Sequence, residues 1–119
     1  LLRGDAGRLP LATASLDGVV CTNSFHHYPH HLEALRELRR VLKPGGVLGL
    51  VDPRKDHLLG RAAIDLFENA LFGLKEVRVF TVPQWRAMLA EVGFREASVE
   101  PGPWWNPFAH AEVFVRATA

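Results

Sequence analysis

Residues 15–52 read SLDGVVCTNSFHHYPHHLEALRELRRVLKPGGVLGLVD, and they decide the fold. Gly18 to Thr22 is an almost unbroken apolar run without alternation, the pattern of a strand covered on both faces of a parallel sheet. Leu32, Leu35, Leu38, Val41 and Leu42 then recur at helical spacing, opposite Glu33, Arg36, Glu37 and Arg40. Pro29 suits the opening turn of that helix, and Lys43-Pro44-Gly45-Gly46 stops it, glycine tolerating the left-handed conformation past a helix end. Val47 to Val51 is a second buried strand, closed by Asp52 and Pro53. Strand, helix and strand make a βαβ unit, whose crossover is nearly always right-handed, and the expectation is a doubly wound α/β sheet.

Working outward, residues 1–14 hold an apolar pair followed by turn formers, Gly4, Gly7 and Pro10, and read as a strand end and a loop. Downstream, apolar positions from His57 to Leu74 follow a helix wide enough to cover a sheet face. Thr81 to Gln84 has the capping-box spacing, with Phe80 and Trp85 placed as a hydrophobic staple. Trp85, Met88, Leu89 and Val92 form the buried stripe of that helix, and Gly93 ends it. Arg95 to Glu100 is a short strand. Ala111 to Ala117 alternates Val113 and Val115 against Phe114 and Arg116, as an antiparallel strand does, so the tail is expected to be a hairpin around the long loop PGPWWNPF.

The 119 residues have room for one core, with 48% apolar and 23% charged residues in ordinary globular proportion. A net charge of +1 with interspersed signs gives no footprint for nucleic acid. The cations of the first helix read as a solvated face whose last turn complements the helix dipole. No apolar run reaches the roughly 20 residues that span a bilayer, and no membrane partner is expected. One cysteine, Cys21, fits a reducing compartment and a structural role in its strand, which makes a cytoplasmic location the expectation.

The run GDA followed by LP, then SLDGVV, HH and LRELRRVLKPGGVLGLVD, resembles the second half of class I S-adenosylmethionine-dependent methyltransferases of the small-molecule type. FTVPQWRAMLAEVGF is similar to the family's late helix. The resemblance covers essentially the whole chain. It implies a Rossmann-like sheet, incomplete here, in which residues 1–119 form a single partial domain ending in an antiparallel hairpin. It implies that S-adenosylmethionine donates a methyl group to a small-molecule acceptor. Asp5 matches the family's acidic contact to the adenine amino group, and Ala6 the backbone contact to the ring. Asn23, Ser24, Phe25 and His26 match residues near the transferred methyl. The rival expectation is a non-catalytic half-domain or degenerate relative acting as an interaction module.

The family's glycine-rich turn and its ribose-binding acid have no counterpart in these residues. A first half of about 60 or more residues is expected to be missing, and the chain alone is expected to bind the cofactor poorly. Residues 18–22 are then an apolar strand edge, which is expected to self-associate or to be completed by further chain.

His26 and His27 are candidate general bases, the bland alternative being pocket-lining histidines. Histidines at i, i+4 within HHYPHH could hold a metal if helical, but Pro29 disfavours helix at Tyr28 and no carboxylate or thiol cluster joins them, so no metal is expected. Trp104 and Trp105, with Phe108 nearby, read either as a lid over an apolar acceptor or as a loop pinned to the core by one tryptophan.

Overall fold

The first strand of the βαβ unit, β1 (Leu16–Thr22), runs parallel to β2 (Leu42–Pro53), with Gly18 opposite Val47 and Thr22 opposite Val51. The computed structural model describes residues 3–63, 65, 66, 70, 73 and 77–119. Helix α1 (His31–Val41) joins the two strands. Its start lies later than the proline suggests. Tyr28 is extended and His30 is the non-helical cap, so Pro29 stands outside the helix. Its end differs as well, because Leu42 turns directly into extended backbone. Lys43 to Gly46 instead form an irregularity in the parallel ladder between the pairs Leu16–Leu42 and Gly18–Val47. Gly45 supplies a positive φ of 82° there, and Lys43 Nζ bonds Asp17 at 2.8 Å across it.

Helix α2 (Leu58–Ala63) opens the expected long helix, of which residues 64, 67–69, 71, 72 and 74 lie outside the described residues. Among the described members of the expected apolar stripe, Leu58, Ala62, Leu66 and Ala70 are exposed. Helix α3 (Val82–Val92) has the complete capping box. Thr81 Oγ1 accepts from the Gln84 amide, and Gln84 Oε1 accepts from the Thr81 amide. Phe80 and Trp85 meet at 5.8 Å as the staple, and Gly93, at φ 89°, ends the helix.

The tail is the expected hairpin. β3 (Arg95–Pro101) pairs antiparallel with β4 (Glu112–Thr118), and β4 inserts beside β2, giving the sheet order β1-β2-β4-β3. Its connection carries a short helix, α4 (Pro107–His110), whose start is capped by Asn106 Oδ1 accepting from the amides of Phe108 and Ala109. Gly102 is required where that helix closes on the strand, because a Cβ there would run into the Ala109 carbonyl.

Alternation sets the core. Leu48, Leu50, Val113, Val115 and Ala117 point inward against Leu35, Leu38, Trp85 and Leu89 of α1 and α3. The opposite face corrects the expectation that Gly18 to Thr22 is covered on both sides. Val20 is 79% exposed and Phe114 is 41% exposed, and they line a shallow groove with Val51, Ser98 and Arg116. Both faces of the sheet are apolar, but α1 and α3 pack on the same one.

Candidate active site

The carboxyl ends of β1 and β2 meet at a buried, hydrogen-bonded histidine–aspartate pair. His26, in a turn of 3-10 helix (Phe25–His27) just after β1, places Nδ1 2.8 Å from Asp52 Oδ1 near the end of β2. Both side chains are almost fully buried, at 3% and 1% exposure. A sheet whose first two strands are parallel brings residues far apart in sequence together at this edge, where ligands of open α/β sheets sit. Burial pushes the Asp52 carboxyl above its ordinary range, against the opposing pull of the His26 hydrogen bond. His26 Nε2 and Asp52 Oδ2 are buried without a hydrogen-bond partner among the described residues. The His27 ring lies 4.1 Å from that of His26.

The backbone around this pair turns sharply. Asn23 has a positive φ of 46°, a left-handed conformation that asparagine tolerates better than most residues, and its amide bonds Val51 O at 2.8 Å. That kink lets the chain leave β1 sharply while staying tied to β2. Ser24 Oγ then lies 3.1 Å from Cys21 Sγ and 3.5 Å from the Tyr28 hydroxyl. Phe25 packs beneath this turn. Its side chain is fully buried between Tyr28, His31, Phe80 and Trp85, on the helix-covered side, and so anchors the turn.

Asp5 and Ala6 line a cleft of about 230 Å³ with Tyr28, Pro29, His30 and Glu33. Asp5 Oδ1 accepts from the Gly7 amide at 2.7 Å, which fixes the turn and leaves the other carboxylate oxygen available. The loop is held from α1 by side chains that the sequence presented as a solvated face. Glu37 Oε1 accepts from the Leu9 amide at 2.8 Å, and Arg40 donates to the Leu9 and Leu11 carbonyls and to Thr13. Arg40 also grips Glu37, and this holds the Glu37 carboxyl below the usual range.

Neither tryptophan of the PGPWWNPF loop is pinned to the core. Trp104 and Trp105 are 83% and 70% exposed, and they do not line the Asp5 cleft. Among the described residues no group of three metal-ligating side chains converges. Asp52 is the residue that sequence reasoning missed; the available signal was an acid closing an otherwise apolar strand.

A βαβ unit continued by an inserted antiparallel strand makes an open, Rossmann-like α/β sheet. A family model described as a methyltransferase domain matches residues 1–50. Phthiotriol/phenolphthiotriol dimycocerosates methyltransferase of Mycobacterium leprae is 37% identical over 75 residues, covering 63% of this chain and 28% of that protein. The 27-O-demethylrifamycin SV methyltransferase of Amycolatopsis mediterranei is 35% identical over 100 residues, 81% of this chain and 35% of that one. A solved methyltransferase of Thermotoga maritima, described as S-adenosylmethionine-dependent and a possible histamine N-methyltransferase, superposes with a TM-score of 0.84 at 26% identity, covering 98% of this chain and 62% of that one. The chain thus spans about a third of the length of these curated relatives. The chain is thus similar in sequence and in fold to S-adenosylmethionine-dependent methyltransferases.

Proposed function

We propose that this chain forms the acceptor side of an enzyme that methylates a hydroxyl group of a small molecule, with His26 as general base and Asp52 as the residue that positions it. Residues 1–119 are read as one partial domain completed by further residues of the same fold. The observation that carries the reading is the 2.8 Å His26–Asp52 contact combined with the unpartnered His26 Nε2. Two relatives named for organic acceptors, phthiotriol dimycocerosates and demethylrifamycin, support a small-molecule substrate. The rival reading, a non-catalytic interaction module, is not favoured by relatives named as methyltransferases.

Asp52 accepts the proton-bearing Nδ1 of His26, which fixes the tautomer and leaves the Nε2 lone pair to receive a proton. A hydroxyl acceptor needs that help, because the neutral alcohol is a poor nucleophile, whereas an uncharged amine already offers its lone pair. As the proton arrives at Nε2, the Asp52 carboxylate stabilises the imidazolium in a site from which water is excluded. Bound S-adenosylmethionine supplies an electrophilic methyl group on its sulfonium. Asp5 and Ala6 are assigned to the adenine, since a carboxylate accepts from an exocyclic amine, and the Asp5 cleft has the polar lining this requires. Asn23 and Ser24 are assigned to the methionine end, with Phe25 supporting them from below. Trp104 and Trp105 are placed at the entrance on the acceptor side.

The test is turnover with S-adenosylmethionine and an alcohol acceptor, using the chain in its full-length context. His26→Gln is expected to lower kcat by about 10²- to 10⁴-fold while leaving cofactor affinity unchanged. Wild-type turnover in that variant would remove the general base from the proposal.

A further inference from the structure

Tyr28 takes no part in the chemistry proposed above, yet it touches both halves of the site. Its backbone is extended, as a following proline favours, and it carries the chain from the 3-10 turn after β1 toward α1. Its amide donates to the Phe25 carbonyl at 3.0 Å, and its ring meets the Phe25 ring edge to face, with centroids 5.4 Å apart. A fully buried phenylalanine thus braces the tyrosine, which itself stays half-buried.

On one side Tyr28 lines the cleft of about 230 Å³ that also holds Asp5 and Ala6. On the other, its hydroxyl lies 3.5 Å from Ser24 Oγ and 3.8 Å from Cys21 Sγ, and Ser24 Oγ lies 3.1 Å from that sulfur. The groups form a short polar chain that starts in β1 and ends at the cleft. Burial raises the Tyr28 pKa above its ordinary value, so the hydroxyl keeps its proton and stays a donor at neutral pH. At 3.5 Å the contact with Ser24 is long for two hydroxyls. Hydrogen bonds in active sites are often long until a ligand binds, and then tighten.

The chemistry of the two sides selects one kind of ligand. An aromatic ring and a carboxylate in one cleft suit a flat base that carries an exocyclic amine, since every base offers a face to stack on and the carboxylate accepts from the amine. Paired hydroxyls suit a polar tail. Tyr28 is the residue common to both.

We propose that Tyr28 is a positioning residue that joins the two halves of the cofactor site, its ring walling the Asp5 cleft against the base and its hydroxyl holding Ser24 for the methionine end of the same molecule. This rests on the reading of the Asp5 cleft as the adenine site. A ligand that has only the base gains from the ring alone. One that also has the tail gains from the ring and from the hydroxyl.

Calorimetry on the full-length protein tests this with adenosine and S-adenosylhomocysteine, neither of which can donate a methyl group. Tyr28→Phe keeps the ring and removes the hydroxyl. It is expected to bind adenosine as the wild type does and S-adenosylhomocysteine about three- to tenfold more weakly. Ser24→Ala should show the same selective loss, and combining the two should add little, since both remove one contact. Tyr28→Leu removes the ring and should weaken both ligands by about tenfold or more. Unfolding midpoints are measured alongside, and Tyr28→Phe, which keeps the packing on Phe25, decides the matter where Tyr28→Leu proves unstable. Unchanged binding of S-adenosylhomocysteine by Tyr28→Phe, an equal loss for both ligands, or fully additive losses in the combined variant overturns the proposal. Unchanged adenosine binding by a folded Tyr28→Leu overturns it too. Asp5→Ala separates such a failure from failure of the adenine assignment. Weaker adenosine binding in that variant upholds the assignment whatever Tyr28 does, and unchanged binding overturns the assignment and the role of Tyr28 together.

Discussion

At the scale of single residues, two buried titratable groups pull stability in opposite directions with pH. His31 is packed between Phe25 and Phe80, with ring centroids at 5.1 and 4.6 Å, and its Nε2 has no hydrogen-bond partner among the described residues. Burial first, and then the Arg78 charge, lowers its pKa from 6.5 to about 4. The unfolded chain therefore takes up this proton before the folded one does. Stability is full above pH 6.5 and falls as pH drops toward 4, by up to about 3 kcal/mol. Urea melts at neutral and mildly acid pH should show that loss, and His31→Phe, which keeps the aromatic packing, should remove most of it. Asp52 has the opposite sign. Its folded pKa lies above the ordinary 3.8, so the ionised carboxylate costs stability once pH rises past the folded value. Asp52→Asn should hold or raise the thermal midpoint at neutral pH while lowering kcat, because the neutral amide no longer stabilises the imidazolium. A variant that lost stability and kept full turnover would contradict both halves of that assignment.

At the scale of elements, local pattern and distant contact divide what could be foreseen. The apolar spacing of α1, the Thr81–Gln84 box and the alternation of Val113 and Val115 are local signals, and each element stands where they place it. Thr81→Ala should cost about 1 kcal/mol, measured by denaturant unfolding, because the Gln84 amide then loses its acceptor. The bond from Arg40 to the Leu11 carbonyl crosses 29 residues and leaves no periodic trace. For that reason Arg40 and Glu37 look in sequence like any exposed helical pair. Their actual work is to hold the loop that presents Asp5 and Ala6. Arg40→Ala should weaken S-adenosylmethionine binding several-fold in calorimetry without altering kcat at saturating cofactor, a split that a purely catalytic residue would not give. The His26–Asp52 pair was half legible in the same sense. The histidine sits at a position that the resemblance marks, whereas the aspartate becomes its partner only once β1 and β2 lie side by side.

At the scale of the whole molecule, the sheet is finished on one side and open on the other. The continuous apolar run of β1 announced two buried faces, yet α1 and α3 cover only the face carrying Cys21, Leu48 and Leu50. The other face presents Val20 and Phe114 to solvent, and among the described residues β1 is a terminal strand whose outer edge has no neighbour in the sheet. Open edges and apolar faces of this kind recruit cover. In sedimentation velocity, the 119-residue chain should show weight that rises with concentration. Val20→Lys, which puts a charge at the centre of the open face and removes nothing from the core, should return it to a monomer with unchanged secondary structure. In a longer form whose additional residues cover this face, the same lysine would be buried and should lower the unfolding midpoint. A concentration-independent monomer of the 119-residue chain, together with a longer form indifferent to Val20→Lys, would mean that the open face is a finished surface and that completion of the sheet must be abandoned.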